Sequence, residues 1–331
     1  MFREISASRA MLLFVATQAL ALSVPTTSSS CSALLPSLFG GASIDADAIA
    51  AACSANIVWE DMNLADPLAG PSAVREHLAG KFPDGSKLVL DRVSDGAASG
   101  GFTWHRESTE EPGRVGLRGT LYAELDESGK LSYVREGCEP MFKPGAAIEA
   151  LLNTATQIAG KPERPPATYT QATPTTANAI VRYLWEEAYP KGASPAEALR
   201  LMKDSILYED FNYNDPLVGM QQVTDFVNAF DIPGVDFVPL KISEGERSVC
   251  FTWKVVVNGQ DGPSGISFYE IDPSEGKICY IRDIPAPSIK PPPLGTLAAE
   301  VDPKLRVFSS EKVAAFVKAK VDAMKAAMDE S

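Results

Sequence analysis

The segment IVWEDMNLADPLAG at residues 57–70 occurs a second time as ILYEDFNYNDPLVG at residues 206–219. Eight of the fourteen positions are identical at an offset of 149 residues, whereas two unrelated segments of average composition share about one. The same offset, without a gap, places Phe-Thr-Trp at residues 102–104 on Phe-Thr-Trp at residues 251–253. The chain therefore carries an internal repeat that extends well beyond one motif.

Further along, the offset changes slightly because one loop is shorter in the second copy. Tyr-Val-Arg-Glu at residues 133–136 matches Tyr-Ile-Arg-Asp at residues 280–283 at an offset of 147. Matches that persist at a nearly constant offset indicate a tandem duplication. We predict a first module over residues 45–145 and a second over residues 168–292, joined by a helix and a Pro-rich linker at residues 146–167.

The second copy shows the clearer pattern of secondary structure. Apolar residues recur at helical spacing from Ile180 to Ala188 and from Met220 to Phe230. Apolar side chains at residues 249, 251, 253, 255 and 257 alternate with Ser248, Cys250, Thr252 and Lys254, which is the period of a half-buried strand. The order is helix, helix, strand, helix and then several antiparallel strands. This order predicts the α+β class, with two or three helices covering one face of a curved antiparallel sheet.

Composition excludes several classes of function. The chain has 331 residues, and 30 Lys+Arg against 43 Asp+Glu give a formal net charge of -13. No Lys/Arg cluster offers the basic face that binds a phosphate backbone, so we expect no nucleic-acid partner. None of the five cysteines has metal-binding spacing. We therefore predict no metal and no cofactor.

The N-terminal residues have the character of a targeting segment. Met11 to Leu22 is apolar and follows a weakly basic start, but it is too short to cross a bilayer. We predict a signal peptide over residues 1–21. Residues 23–32 are rich in hydroxyl groups and lack acids, as transit peptides are. Together they resemble the bipartite presequence of plastid proteins, and simple secretion is the alternative. Residues 1–44 are accordingly set apart from the fold, and the mature chain is expected to lack a membrane span.

A separate segment follows the second module. Residues 293–331 begin with a Pro-rich stretch. From Glu311 to Met328 they carry an apolar stripe beside several lysines, which predicts an amphipathic helix that docks on its own protein.

The repeated motif also resembles a known family. A strand ending in an aromatic residue and an acid, then Asp-Pro-Leu, Gly and a short helix, then antiparallel strands, resembles the SnoaL-like branch of the nuclear transport factor 2-like superfamily. Such domains occur in plant and algal plastid proteins. The resemblance implies two tandem cone-shaped modules, each with a pocket between sheet and helices. The first copy lacks a long helix before Asp45, so we expect its cone to be more open or to be completed by another segment.

Two functions are open, because the family includes both enzymes and non-enzymes. The first hypothesis is a non-catalytic protein of the plastid that binds a small apolar ligand or a protein partner, or that acts as an assembly module. The alternative is an isomerase or cyclase with Asp66 or Asp215 as general base, although such a turn aspartate commonly bonds its own backbone. The adjacent acids Glu60-Asp61 and Glu209-Asp210 are expected to be solvated. His77 is not repeated in the second copy, and we expect His77 to be a partly buried residue of a helix.

The candidate ligand-pocket residues are aromatic or basic and recur in both copies. They are Trp59, Trp104, Tyr133, Arg135, Tyr208, Trp253, Tyr280 and Arg282. Tyr and Arg lie two apart on each final strand and therefore share one face. If that face points outward, Glu124 and Glu270 on the preceding strands should pair with the arginines. The aromatic residues could instead be plain core. The two modules could also pair within the chain, or the chain could form a homodimer.

Overall fold

The computed structural model describes most of both modules. The described residues are 30–82, 87–107, 115–140, 143–145, 166–229, 235–257 and 260–287, together with Ala147, Ala150 and Thr154. The predicted signal peptide, most of the linker and the C-terminal helix lie outside these residues, so those assignments remain predictions. Among the described residues, no helix combines the length and apolar character needed to cross a bilayer.

Each module contributes the same series of elements. The first consists of α1 (Cys31–Phe39), α2 (Ala46–Ala52), β1 (Cys53–Asp61), β2 (Leu68–Ala69), α3 (Pro71–Lys81), β3 (Leu88–Val93), β4 (Ser99–Glu107), β5 (Val115–Leu125) and β6 (Leu131–Cys138). The second consists of α4 (Ala177–Arg182), which continues as a π-helix and a 3-10 turn to Lys191, a 3-10 helix (Pro195–Leu201), β7 (Met202–Asp210), β8 (Leu217–Val218), α5 (Met220–Ala229), β9 (Val235–Ile242), β10 (Ser248–Val257), β11 (Gln260–Asp272) and β12 (Lys277–Pro285).

The two sheets have the same six-stranded topology. Their strand orders are β2-β1-β6-β5-β4-β3 and β8-β7-β12-β11-β10-β9. Strands β3 to β6 form an antiparallel meander, but β1 pairs with β6 in parallel, as β7 does with β12. The α+β class with two similar modules is confirmed. The sheets are mixed rather than wholly antiparallel, because the meander brings its last strand back beside the first in the same direction.

Helix α1 belongs to the first module, although residues 31–44 were predicted to lie outside the fold. Cys31, Leu35 and Phe39 recur about once per turn, and all three are buried. The Phe39 ring lies 5.1 Å from the ring of Phe102 on β4. The first cone is therefore completed by a segment upstream of Asp45. Removal of residues 1–44 would take this helix out of the core.

The second module shows why α1 is the structural counterpart of α4. At the start of α1, the Cys31 amide donates to the Ala97 carbonyl at 2.7 Å. At the start of α4, the Ala177 amide donates to the Glu246 carbonyl at 2.7 Å. Ala97 and Glu246 are related by the 149-residue offset of the repeat. Each helix thus begins on the same hairpin of its own module.

The two modules pack together through the faces of their sheets. Buried side chains from both form a third core, made of Met62, Tyr122, Phe211, Cys250, Ile266, Phe268, Tyr280 and Ile284. Gly101 permits the close approach, because a Cβ atom there would lie 2.6 Å from the Cβ of Cys250. This is the intramolecular pairing that the tandem repeat allowed. The opposite face of each sheet covers the interior of its own cone.

Candidate functional site

The sheet-to-sheet interface contains four of the predicted pocket residues. Tyr133 and Arg135 both donate to Glu60 Oε2, at 2.6 Å and 2.5 Å. In the other module, the Tyr280 hydroxyl and Arg282 Nε both donate to an oxygen of Glu209. The structure therefore places Tyr133, Arg135, Tyr280 and Arg282 between the modules, outside the cones.

The predicted ion pairs of Glu124 with Arg135 and of Glu270 with Arg282 are wrong. Strand register places Glu124 opposite Tyr133 and Glu270 opposite Tyr280. Each glutamate instead pairs across the interface. Glu124 Oε2 accepts from Lys241 Nζ at 2.7 Å, and Glu270 accepts from Arg92.

Trp59 and Trp104 are core residues. They are 0% and 2% exposed, and both pack in the interior of the first cone. In the second module Tyr208 is buried, whereas Trp253 is only half-buried. Among these four aromatic candidates, only Trp253 is therefore partly accessible.

The candidate bases Asp66 and Asp215 are exposed and lie in the turns after β1 and β7. The acids predicted to be solvated occupy the interior instead. Asp61 is 4% exposed and Asp210 is 7% exposed. Asp61 Oδ1 accepts from the Asn63 amide at 2.9 Å, so the turn is stabilised by this earlier aspartate. Asp61 and Asp210 are buried rather than solvated because the side chain at the end of each strand points into the cone.

A buried cluster of four charged groups lies inside the first cone. Asp61 ends β1, and Glu136 lies beside it in register on β6. His77 and Lys81 are four apart on α3 and face them. Lys81 Nζ lies 2.7 Å from Asp61 Oδ2 and 2.9 Å from Glu136 Oε1. His77 Nε2 lies 3.1 Å from Asp61 Oδ2, and Trp59 Nε1 donates to Glu136 Oε1 at 3.0 Å.

In this cluster the positive charges of Lys81 and His77 stabilise the ionised carboxylates. Burial opposes ionisation of Asp61, but Lys81 and His77 overcome it and hold the pKa of that carboxyl well below its usual range. Burial likewise acts against protonation of His77, yet Asp61 and Glu136 raise its pKa to about 9. Two carboxylates and two cations therefore balance in the interior, as buried charges require.

The same groups include a set of potential metal ligands. Single ligand atoms from Asp61, His77 and Glu136 all lie within 4.8 Å of one another. The Lys81 ammonium contacts both carboxylates, so a cation already occupies the place that a divalent ion would take. The chemistry of this cluster is that of an internal ion-pair network.

We expect His77 to remain protonated through neutral pH. Its pKa is raised to about 9, above the value near 6.5 of an unfolded histidine. Its contribution to stability is then complete below about pH 6.5 and is lost as pH rises through about 9. NMR titration of the ring protons, assigned by comparison with His77→Gln, measures this directly. A midpoint near 6.5 would contradict the buried network.

The second cone has a carboxyl pair at the equivalent positions, but the residues around that pair differ. Asp210 ends β7, and Asp283 on β12 lies in register beside it. Tyr208 and Ser267 both hydrogen-bond the Asp283 carboxyl, and Trp253 Nε1 donates to Ser267 Oγ at 2.8 Å.

Aromatic residues replace the two cations of the first module. At the offset of 149, His77 corresponds to Phe226 and Lys81 to Phe230. The Phe226 ring packs 5.1 Å from the Tyr208 ring, while Phe230 lies outside the described residues. The second carboxyl pair thus meets an apolar helix face where the first meets a charged one.

Both carboxyls of the second cone titrate near neutral pH. Burial, with the nearby charge of Asp283, raises the pKa of Asp210 to about 7. Burial also raises the pKa of Asp283 to about 6, against the hydrogen bonds from Ser267 and Tyr208. Asp283 nonetheless keeps part of its surface accessible. A carboxyl in this state can accept a proton at neutral pH or bind a neutral donor.

A row of half-buried aromatic rings extends from this carboxyl pair. The Trp185 ring lies 4.9 Å from that of Tyr189 and 5.9 Å from that of Phe237, which is 5.7 Å from that of Trp253. Trp185 Nε1 is buried without a hydrogen-bond partner among the described residues. The row offers apolar surface with one available donor.

Sequence reasoning missed Asp61, Glu136, Asp210 and Asp283 as site residues. All four stood in the repeated segments, so the signal was present. The sequence signal was that His77 is replaced by Phe226 while Asp61 is retained as Asp210. A carboxyl that is repeated without its neighbouring cation must have a different environment in the second copy.

Solved structures of other proteins resemble parts of the chain. No protein-family model matches the chain, and no curated protein sequence matches it. Solved structures do match. A candidate ketosteroid isomerase from Kribbella flavida is 17% identical, with a TM-score of 0.30, over 37% of this chain and 87% of that one. A candidate SnoaL-like polyketide cyclase from Jannaschia is 15% identical, with a TM-score of 0.26, over 38% and 90%.

An uncharacterised NTF2-like protein from Cytophaga hutchinsonii is similar in the same way. It is 16% identical, with a TM-score of 0.26, over 34% of this chain and 99% of that one. Each of these solved proteins is about one module long. Likenesses this distant carry no conclusion about the family or the activity of this chain.

Proposed function

We propose that the second module binds a small, largely apolar molecule in its cone, and that the first module serves as its structural support. The observation that carries this proposal is the Asp210–Asp283 pair, with raised pKa values, beneath partly exposed aromatic rings. Polar groups that are few and fixed within an apolar pocket are typical of ligand sites. The first cone has a fully buried core and balanced charges instead.

The described contacts suggest how such a ligand would be held. Asp283 is fixed by Tyr208 and by Ser267, which is itself fixed by Trp253. A protonated or ionised carboxyl there can bind a hydroxyl or a carbonyl. The free Trp185 Nε1 donor would suit a second oxygen. Aromatic rings would cover the apolar body of the ligand.

A second candidate function is an isomerase or cyclase that uses this pair as general base. The pKa values of about 6 for Asp283 and about 7 for Asp210 favour it, because a base works best when its pKa lies near the operating pH. The pair would share its protons, so its titration belongs to both residues. This candidate replaces Asp215 by Asp283 as the pocket base.

One probe separates the two candidates. 2-Tetralone is an apolar ketone with acidic C–H groups, and it suits both the aromatic row and the carboxyl pair. We expect saturable quenching of tryptophan fluorescence with a dissociation constant on the order of 100 µM. Asp283→Asn should weaken it. Asp215→Asn makes the same change at an exposed site of the same module and should leave it unaltered.

Deuterium exchange of the probe in D2O, followed by NMR, measures proton transfer. Accelerated exchange that falls about 100-fold or more in Asp283→Asn would establish the general base. Binding without exchange would establish the non-catalytic role. Absence of both in the wild-type protein would contradict a ligand site in this cone.

A further inference from the structure

An open cleft of about 190 Å³ lies between the two modules, beside the turn after β1. Asp61, whose carboxylate belongs to the charged cluster of the first cone, also borders it. The other residues that the argument uses are Glu60, Asp66 and Arg135 from the first module and Ser264 and Ala286 from the second.

Because of the internal repeat, an equivalent location exists on the other side of the interface between the modules. Gly119 pairs with Trp104 and Gly265 pairs with Trp253, so β5 corresponds to β11 at an offset of 146. Ser264 is therefore the counterpart of Arg118.

The residues just after β6 and β12 give a second correspondence between the two modules. The Glu139 amide donates to the Arg118 carbonyl at 2.8 Å, and the Ala286 amide donates to the Ser264 carbonyl at 2.7 Å. Ala286 is therefore the counterpart of Glu139. Two long charged side chains on one side of the interface are replaced by two small ones on the other.

On the first side, Arg118 fills the equivalent volume. Its Nη1 donates to Glu209 Oε1 at 2.7 Å, and its Nε and Nη2 donate to Glu139 at 3.2 Å and 3.1 Å. The guanidinium carbon lies 4.6 Å above the Phe211 ring. Glu209 Oε2 meanwhile accepts from Arg282 at 2.8 Å. One glutamate thus holds two guanidinium groups.

On the open side, only one of those guanidinium groups is present among the residues that the structure describes. Glu60 Oε2 accepts from Arg135 Nε at 2.5 Å, as Glu209 Oε2 does from Arg282. Among the described residues nothing donates to Glu60 Oε1, the counterpart of the oxygen that Arg118 reaches. The Glu60 side chain is 29% exposed, against 12% for Glu209. Asp66 adds an exposed carboxylate to the same cleft.

We propose that this cleft binds a guanidinium group of a small molecule in the place that Arg118 fills on the other side. Glu60 Oε1 accepts one N–H, and the exposed Asp66 takes the role of Glu139. A planar guanidinium suits a pair of carboxylates better than a compact ammonium does, because its donors form a fixed fork. The site is independent of the ligand proposed for the second cone.

Methylguanidinium is the probe, and backbone amide NMR shifts of the full chain are the measurement. We expect saturable shifts at Ser264 and Ala286 with a dissociation constant on the order of 1 mM, as befits a fragment of this size. Methylammonium should bind at least about 5-fold more weakly. Ser264→Arg should abolish binding, because it supplies the group that Arg118 supplies opposite.

The matched control is Gln260→Arg, which adds the same charge at an exposed position of the same strand and should leave binding intact. Unchanged binding in Ser264→Arg, or no saturable shift in the wild-type protein, would overturn the proposal. So would binding that appears only in Lys290→Ala. Lys290 is the sequence counterpart of Lys143, whose ammonium contacts Glu139 on the first side, and Lys290 would then be the occupant.

Discussion

Lys81→Ala is expected to lower the free energy of unfolding by about 3–5 kcal/mol. The substitution removes the ammonium that lies 2.7 Å from Asp61 and 2.9 Å from Glu136. Both carboxyls are 4% exposed, so water cannot replace the lost cation. His77 alone would then have to balance two carboxylates. Urea unfolding of the full chain, followed by circular dichroism, measures the change.

Lys203→Ala provides the control for this loss. Lys203 Nζ also contacts two carboxylates, Asp272 at 2.5 Å and Glu275 at 2.9 Å, but its side chain is 26% exposed. Solvent screens such a pair, so the loss should be much smaller than that of Lys81→Ala. Equal losses in the two variants would show that the interior of the first cone is hydrated, and the ion-pair network would not be a structural core.

The tandem organisation and the α+β class could be predicted because they rest on local patterns. Repeated motifs, alternating strands and amphipathic helices are all visible in the sequence. The parallel pairing of β1 with β6 could not be predicted in this way, because it joins residues about 77 apart, as Trp59 and Glu136 show. Helix α1 was missed because the uncharged run around Cys31–Phe39 also fits a targeting segment.

The candidate site was missed for a physical reason. An acid at a strand end is usually solvated, and only the position of α3 or α5 decides whether it is covered. Comparison of the two copies offered the missing information, since His77 is exchanged for Phe226 while Asp61 is retained as Asp210. Burial of a carboxyl against an apolar face raises its pKa, whereas burial against a cation lowers it. The same fold therefore gives two opposite electrostatic environments.

Asp210→Asn is expected to stabilise the protein by about 4 kcal/mol at pH 8 and to have little effect at pH 4. The folded pKa of Asp210 is about 7, while that of an unfolded aspartate is near 3.9. Below about pH 4 the carboxyl is neutral in both states. As pH rises towards 7, only the unfolded state ionises readily, so stability falls. Asparagine keeps the oxygen that accepts from the Asn212 amide at 2.8 Å.

Asp61→Asn is the matched substitution in the first module and should have the opposite sign at pH 8. The pKa of Asp61 lies below its usual range because Lys81 and His77 hold the carboxylate, so its loss destabilises. Urea unfolding at both pH values tests the pair of variants. Destabilisation by Asp210→Asn at pH 8 would mean that the second carboxyl pair is compensated. Stabilisation would show that the wild-type chain retains an acid that weakens its fold, which is the signature of a group kept for binding or proton transfer rather than for packing.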